Sequence, residues 1–196
     1  MKRISNMTPT SSTPDREPTA TRDILLPGGS DHALRKLLYN LFTIGTRMED
    51  VRRYLGSRIG ISGPQFSLLM AIQELQCPNG INVGVSVGKI ASYLHVAGTF
   101  VTAESAKLAL KDYIEKRADP RDRRVSLLRV RPAGAKAIGS LLPEVRNIND
   151  TFFELESSEG FESLCRAADR MVDGSQRVLS LISVGQAVSP AGAFTP

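Results

Sequence analysis

The chain of 196 residues holds 41% hydrophobic, 23% charged and 6% aromatic residues, with no tryptophan. That is ordinary globular composition, which excludes a wholly disordered, collagen-like or mucin-like chain, and the length suits one compact domain with appendages. The formal net charge of +5 carries information only if it is concentrated.

Residues 1–30 contain four Ser, five Thr and four Pro, too little apolar surface to offset ordering entropy, and read as a disordered N-terminal tail. A first long helix is predicted from about Asp31 to Ser57. Leu34, Leu37, Leu38, Leu41, Ile44, Met48, Val51 and Leu55 draw one stripe along it. Asp31 can cap its start, and Gly56 and Gly60 bracket its end. Ser62-Gly63-Pro64 opens a second helix with Phe66, Leu69, Met70 and Ile72, which stops near Cys77-Pro78-Asn79-Gly80.

Ser86 is placed to cap a short helix, Val87–Leu94, whose inner face is Ile90, Ala91 and Leu94. After His95-Val96-Ala97-Gly98 a longer helix runs from about Thr99 to Asp112 with Val101, Leu108 and Ala109. Helix, short turn with a glycine, helix is the helix-turn-helix pattern. Tyr113–Lys116 and Val125–Val130 then read as two short strands. The charged loop between them, Arg117-Ala118-Asp119-Pro120-Arg121-Asp122-Arg123-Arg124, makes the unit a winged helix. From Lys107 to Arg131 there are nine basic and four acidic residues, an excess of five that equals the charge of the whole chain. A concentrated basic field points to a polyanion.

Two further helices are predicted, about Pro132–Leu155, which Pro143 is expected to bend, and one from Ser157 or Ser158 through Ile182. A winged helix of about 70 residues does not require three long amphipathic helices outside it, so their stripes call for a partner, and a second copy of the chain is the simplest. The fold class expected is mainly α with a small β-wing, a winged helix-turn-helix plus long dimerisation helices. The segments are a tail over 1–30, a dimerisation helix over 31–60, a DNA-binding domain over 61–133, C-terminal dimerisation helices over 134–184, and a second disordered tail over 185–196.

Val101-Thr102, Leu108, Tyr113-Ile114-Glu115-Lys116-Arg117, Asp119-Pro120, Asp122-Arg123-Arg124 and Gly134 together resemble the MarR family of bacterial transcription regulators. The resemblance covers roughly residues 31–182, and its Asp-x-Arg wing after a helix-turn-helix is the specific part. It implies a homodimer on double-stranded DNA, with the first and last two helices used for dimerisation. Three positions depart from the family pattern: Asp112 stands where a glycine is usual, Ala103 where many members carry arginine, and Arg131-Pro132 in place of a Leu-Thr helix start.

A recognition helix presents its N-terminal residues to base edges in the major groove. Thr99, Phe100, Thr102, Ala103 and Ser105 are the candidates, with Lys107 further along for phosphate. Phe100 either meets thymine methyls or fills the core, with the core favoured. By resemblance, Arg124 enters the minor groove. Asp122 is expected to hold an arginine and fix the wing's shape, while Arg121 and Arg123 reach phosphates. Symmetry implies a pseudo-palindromic operator with half-sites ~10 bp apart, and the regulator is expected to act as a repressor.

The family resemblance also implies a small aromatic or phenolic effector, with Ile44, Met48, Phe66 and Met70 as apolar walls and Arg47 or Arg52 as a carboxylate partner. Metal regulation is not expected, because His32 and His95 are the only histidines and stand far apart. Cys77 and Cys165 lack the spacing of a zinc site or a disulfide framework; Cys165 reads as a buried small hydrophobe. No cofactor is expected, and no nucleophile–base pair or phosphate-cradling loop argues for an enzyme. No apolar run reaches the ~18–20 residues of a membrane helix, and no apolar stretch follows Met1-Lys2-Arg3, so a cytoplasmic location is expected. The alternative function is an architectural or protein-interaction winged helix without operator specificity.

Overall fold

The computed structural model describes residues 17–76, 84–155 and 157–185. Six helices and three short strands follow one another: α1 (His32–Arg58), α2 (Gly63–Gln76), β1 (Val85–Ser86), α3 (Val87–Leu94), α4 (Gly98–Leu110), β2 (Ile114–Ala118), β3 (Ser126–Val130), α5 (Pro132–Phe152) and α6 (Ser158–Ser183). The Cys77-Pro78-Asn79-Gly80 turn lies outside the described residues.

The described residues fall into two compact units: one holds those up to residue 43 and those from 172 onward, the other those within 44–171. The second holds the winged helix but extends past the boundaries at 61 and 133. Leu55 of α1 and Ile138 and Leu141 of α5 are buried in the same cluster as Leu68, Leu69 and Ile72 of α2. That cluster also takes Val85, Ile90, Val101, Leu108, Ile114 and Leu128, one or two from each remaining element of the winged helix. Completely burying a side chain of this size contributes about 1.5–3 kcal/mol.

Local chemistry explains where the helices begin and end. Ser62 and Gln65 form a capping box: the Gln65 backbone N–H donates to Ser62 Oγ at 3.3 Å, and Ser62 N–H donates to Gln65 Oε1 at 3.1 Å. Ser86 Oγ accepts from the Lys89 N–H, as expected of an N-cap. Three helices close on the same main-chain motif, a six-residue and a four-residue hydrogen bond around a left-handed residue. In α1 these are Ile61 N–H to Gly56 O and Gly60 N–H to Ser57 O. In α3 they are Val96 to Ala91 and His95 to Ser92, and in α4 Tyr113 to Leu108 and Asp112 to Ala109. Gly60 adopts φ +71° without strain, whereas His95 (φ 53°) and Asp112 (φ 61°) occupy the region that favours glycine.

The sheet is antiparallel in the order β1–β3–β2. Val85 pairs with Leu128 and Ser86 with Leu127, while β2 runs the length of β3 from Ile114 opposite Val130 to Ala118 opposite Ser126. β1 has no counterpart among the sequence expectations. Gly134, in the first turn of α5, lies against the Tyr113 main chain; a Cβ there would stand 3.0 Å from the Tyr113 carbonyl carbon and overlap its oxygen. α5 runs through Pro143 as one helix.

In the first unit, part of the segment read as a disordered tail is ordered into two 3₁₀ turns, Asp23–Leu25 and Pro27–Gly29. Asp31 does not spend its carboxylate on capping α1. It accepts from the Thr19 N–H and hydroxyl, at 2.8 and 2.7 Å, and pairs with Arg35. The Thr19 hydroxyl chiefly, with its N–H and the Arg35 charge, holds the Asp31 carboxyl below the ordinary carboxylate range. Among the described residues no helix is long and apolar enough to cross a membrane.

Candidate nucleic-acid interface

α4 buries one face along its length. Val101, Ser105 and Leu108 face the core, and Thr99, Thr102, Ala103, Ala106, Lys107 and Leu110 are exposed. Ser105 is therefore not a base-reading residue: it is 2% exposed and its hydroxyl donates to the Thr102 carbonyl at 3.0 Å. It follows Val101 by four residues and precedes Leu108 by three, which sets it on the inner stripe. Phe100 is half-buried and packs against the core. Thr102 donates its hydroxyl to Gly98 O at 3.0 Å.

Behind this face lies a polar link that the sequence reading missed. The capping residue Gln65 turns its amide nitrogen to Glu104 Oε2 at 3.1 Å, and Glu104 Oε1 holds Lys107 Nζ at 2.7 Å. The bond from Lys107, ahead of that from Gln65, keeps the Glu104 carboxyl below its ordinary range. One side chain of α2 thus caps its own helix and fixes the roll of α4.

The wing tip is exposed at Arg121, Asp122, Arg123 and Arg124. Asp122 does not hold an arginine side chain. Its Oδ1 accepts from the Arg124 backbone N–H at 2.9 Å, and Asp119 Oδ1 accepts from the Arg121 N–H at 2.8 Å. Each aspartate bonds the main chain two residues on, an Asx turn, and the Asp119 N–H closes the loop on Val125 O. The loop is shaped by backbone bonds, which leaves the guanidinium groups at its tip available. Nearer the sheet, Glu115 pairs with Arg129 and Arg117, and Asp112 Oδ1 with Arg131 Nε at 2.9 Å. These pairs engage the arginines at the base of the wing, whereas those at its tip face no acid side chain among the described residues.

The six effector candidates are divided between core and surface. Phe66 is buried in the core cluster, with Met70 packed against it. Ile44, Arg47 and Met48 are exposed on α1, and Arg52 bonds Glu49. A cavity of about 790 Å³ opens elsewhere, between the end of α5 and the first half of α6, and includes Phe153, Leu155, Phe161, Leu164 and Cys165. Cys165 is exposed there rather than buried; its apolar neighbours belong to a helix with no buried residue. Cys77 lies outside the described residues, and among those described no group of three potential metal ligands occurs.

The arrangement has solved counterparts. The transcriptional regulator SlyA is 14% identical, over 74% of this chain and 98% of that one, with a TM-score of 0.60. A mutant MarR from E. coli complexed with operator DNA is 16% identical over 71% and 95%, with a TM-score of 0.58. The fold is that of the MarR regulators. The PcaV transcriptional regulator from Streptomyces coelicolor, in complex with its natural ligand, is 17% identical over 67% of this chain and 91% of that one, with a TM-score of 0.52. No protein-family model matches the chain. No curated protein matches it in sequence.

Proposed function

We propose that this protein is a transcription regulator that binds double-stranded DNA as a homodimer, with α4 in the major groove and the wing tip in the adjacent minor groove. The observation that carries the reading is the pairing, on one winged helix, of an exposed α4 face with a wing whose acids are bonded to main chain or neutralised at its base. Phosphate contacts then position the protein, and α4 reads the bases. The solved E. coli MarR complex with operator DNA supports a DNA partner. Dimerisation is supported by the apolar residues left exposed on α1 (Leu37, Leu38, Leu41) and on α6 (Phe161, Leu164, Met171), which a second copy would cover. A two-fold dimer reads a pseudo-palindromic operator and represses by occluding a promoter.

A small aromatic or phenolic effector completes the proposal, supported by the ligand in the PcaV structure. It would act by binding one dimer conformation better than the other.

Selection of bound sequences from a random DNA pool, followed by a salt titration on the winner, tests the operator reading. A palindromic motif bound ~10³-fold or more above random DNA is the expected result. No enrichment, with binding that vanishes as salt rises, would mean phosphate contact alone and would establish the architectural alternative.

A further inference from the structure

The exposed face of α4 has an unusual chemistry for a surface placed to read bases. Thr99, Thr102, Ala103, Ala106 and Leu110 are all exposed and follow one another at i, i+3, i+4, i+7 and i+11. At 3.6 residues per turn they form a single stripe opposite Val101, Ser105 and Leu108. No arginine, asparagine or glutamine stands on that stripe, and those are the side chains that make bidentate bonds to guanine or adenine. Its polar capacity is further reduced by bonds already made. The Thr102 hydroxyl donates to Gly98 O, which leaves its oxygen only as an acceptor and its γ-methyl free. Glu104, on the flank, is held by Gln65 and Lys107. What remains is a row of methyl groups, with an acceptor oxygen at Thr102 and one threonine hydroxyl free to donate, Thr99, at its N-terminal end.

We infer that α4 reads the 5-methyl groups of thymine, so that each half-site of the operator is recognised through apolar contact with a thymine-rich major-groove edge. Among the bases only thymine carries a methyl group there, and alanine and the threonine methyl are the partners that fit it. Lys107, beside the stripe, supplies phosphate contact rather than base discrimination. The inference rests on the DNA-binding reading above and adds the chemistry of the ligand.

Deoxyuridine gives a clean test, because it pairs as thymine does and lacks only the methyl. The minor-groove edge, which the wing would read, stays unaltered. With the full chain and the operator selected at fixed salt, thymines in the half-sites are replaced one at a time. The selected half-sites should contain thymine. Each contacted thymine replaced should weaken binding about fourfold, the value of one buried methyl group, and the symmetry-related pair about fifteenfold. Thr102→Ser keeps the hydroxyl and removes the methyl. It should weaken binding to the thymine operator and cost nothing more on the operator already carrying deoxyuridine at the contacted position. Enriched half-sites without thymine would overturn the inference, as would a deoxyuridine operator bound as tightly as the thymine one while random DNA is still rejected. Both of those outcomes leave the operator reading standing; failure to enrich any motif would remove that reading and this one together.

Discussion

Replacing Gly134 with alanine tests the packing that seats the wing on the rest of its unit. A Cβ at this position would lie 3.0 and 3.1 Å from the Tyr113 carbonyl carbon and Cα, and would overlap the carbonyl oxygen. That oxygen also accepts the Arg131 N–H at 2.9 Å, and Tyr113 leads directly into β2. Main chain cannot swing aside as a flexible side chain would, so α5 and the start of β2 must separate. Overpacking of this kind costs roughly 1–3 kcal/mol, and loosening the Arg131–Tyr113 bond adds about 1 kcal/mol. Alanine's helix propensity returns about 1 kcal/mol, which leaves a net loss of about 1–3 kcal/mol. Gly139, five residues along the same helix, has nothing within 4 Å of a Cβ. There the propensity term acts alone, and Gly139→Ala should gain up to about 1 kcal/mol. Urea unfolding at fixed protein concentration compares the pair, with a midpoint fall for Gly134→Ala and a rise for Gly139→Ala. Equal shifts in one direction would refute the close-approach argument.

Arg124→Ala should cost about 1–3 kcal/mol of operator affinity if the guanidinium reads a groove, and an unchanged Kd at fixed salt would remove it from the site. Asp122→Ala should weaken binding by removing the Asx turn at the wing tip, while Asp122→Asn, which keeps an acceptor for the Arg124 N–H, should stay close to wild type; equal losses would point to the charge instead. The Glu104 carboxyl has its pKa lowered in the folded state. Its bonds therefore stabilise above the unfolded pKa, and that stability is lost as pH falls through the ordinary carboxylate range and then the lowered value. Wild type should accordingly exceed Glu104→Gln in stability at neutral pH and approach it as pH falls through and below the ordinary carboxylate range; a gap that widens in acid would contradict the Lys107–Glu104–Gln65 geometry. His95→Gly relieves a left-handed φ at an exposed turn and should raise stability by about 0.5–1 kcal/mol after the glycine entropy cost, read as a higher Tm.

Helix order and most boundaries were legible because each helix carries both a stripe and an end signal: Ser62 and Ser86 at starts, Gly60 at a stop. β1 escaped because two residues, Val85 and Ser86, give no period, and only their pairing with β3 makes them a strand. Ser105 was misplaced by nearness in sequence to the other candidates. The phase of Val101 and Leu108 already carried the answer, and the same phase would have added Ala106 and Leu110 to the exposed stripe. Phe66 follows the same lesson: it precedes Leu69 by three residues on a helix whose inner side is core. Asp122 was recognised as shaping the loop, but its donor was sought among arginine side chains, whereas an aspartate two residues before a free N–H most readily accepts from that N–H. Cys165 depends on tertiary context alone, since an apolar neighbourhood on α6 means burial only if something covers it.

The three main-chain helix closures have a bearing on how such a protein changes over generations. In α3 and α4 the angles of the turns are set by hydrogen bonds between peptide groups, which any residue but proline can supply. The outward side chains of α4 take little part in that scaffold: the Thr102 hydroxyl bond is local to its own helix, and Lys107 is tied to Glu104. Exposed substitutions of this kind are commonly within about 0.5 kcal/mol of neutral. If α4 reads bases as proposed, a lineage could therefore exchange Ala103 or Ala106 for a larger side chain, and recognise a different DNA sequence, while the frame that presents it stays as stable as before.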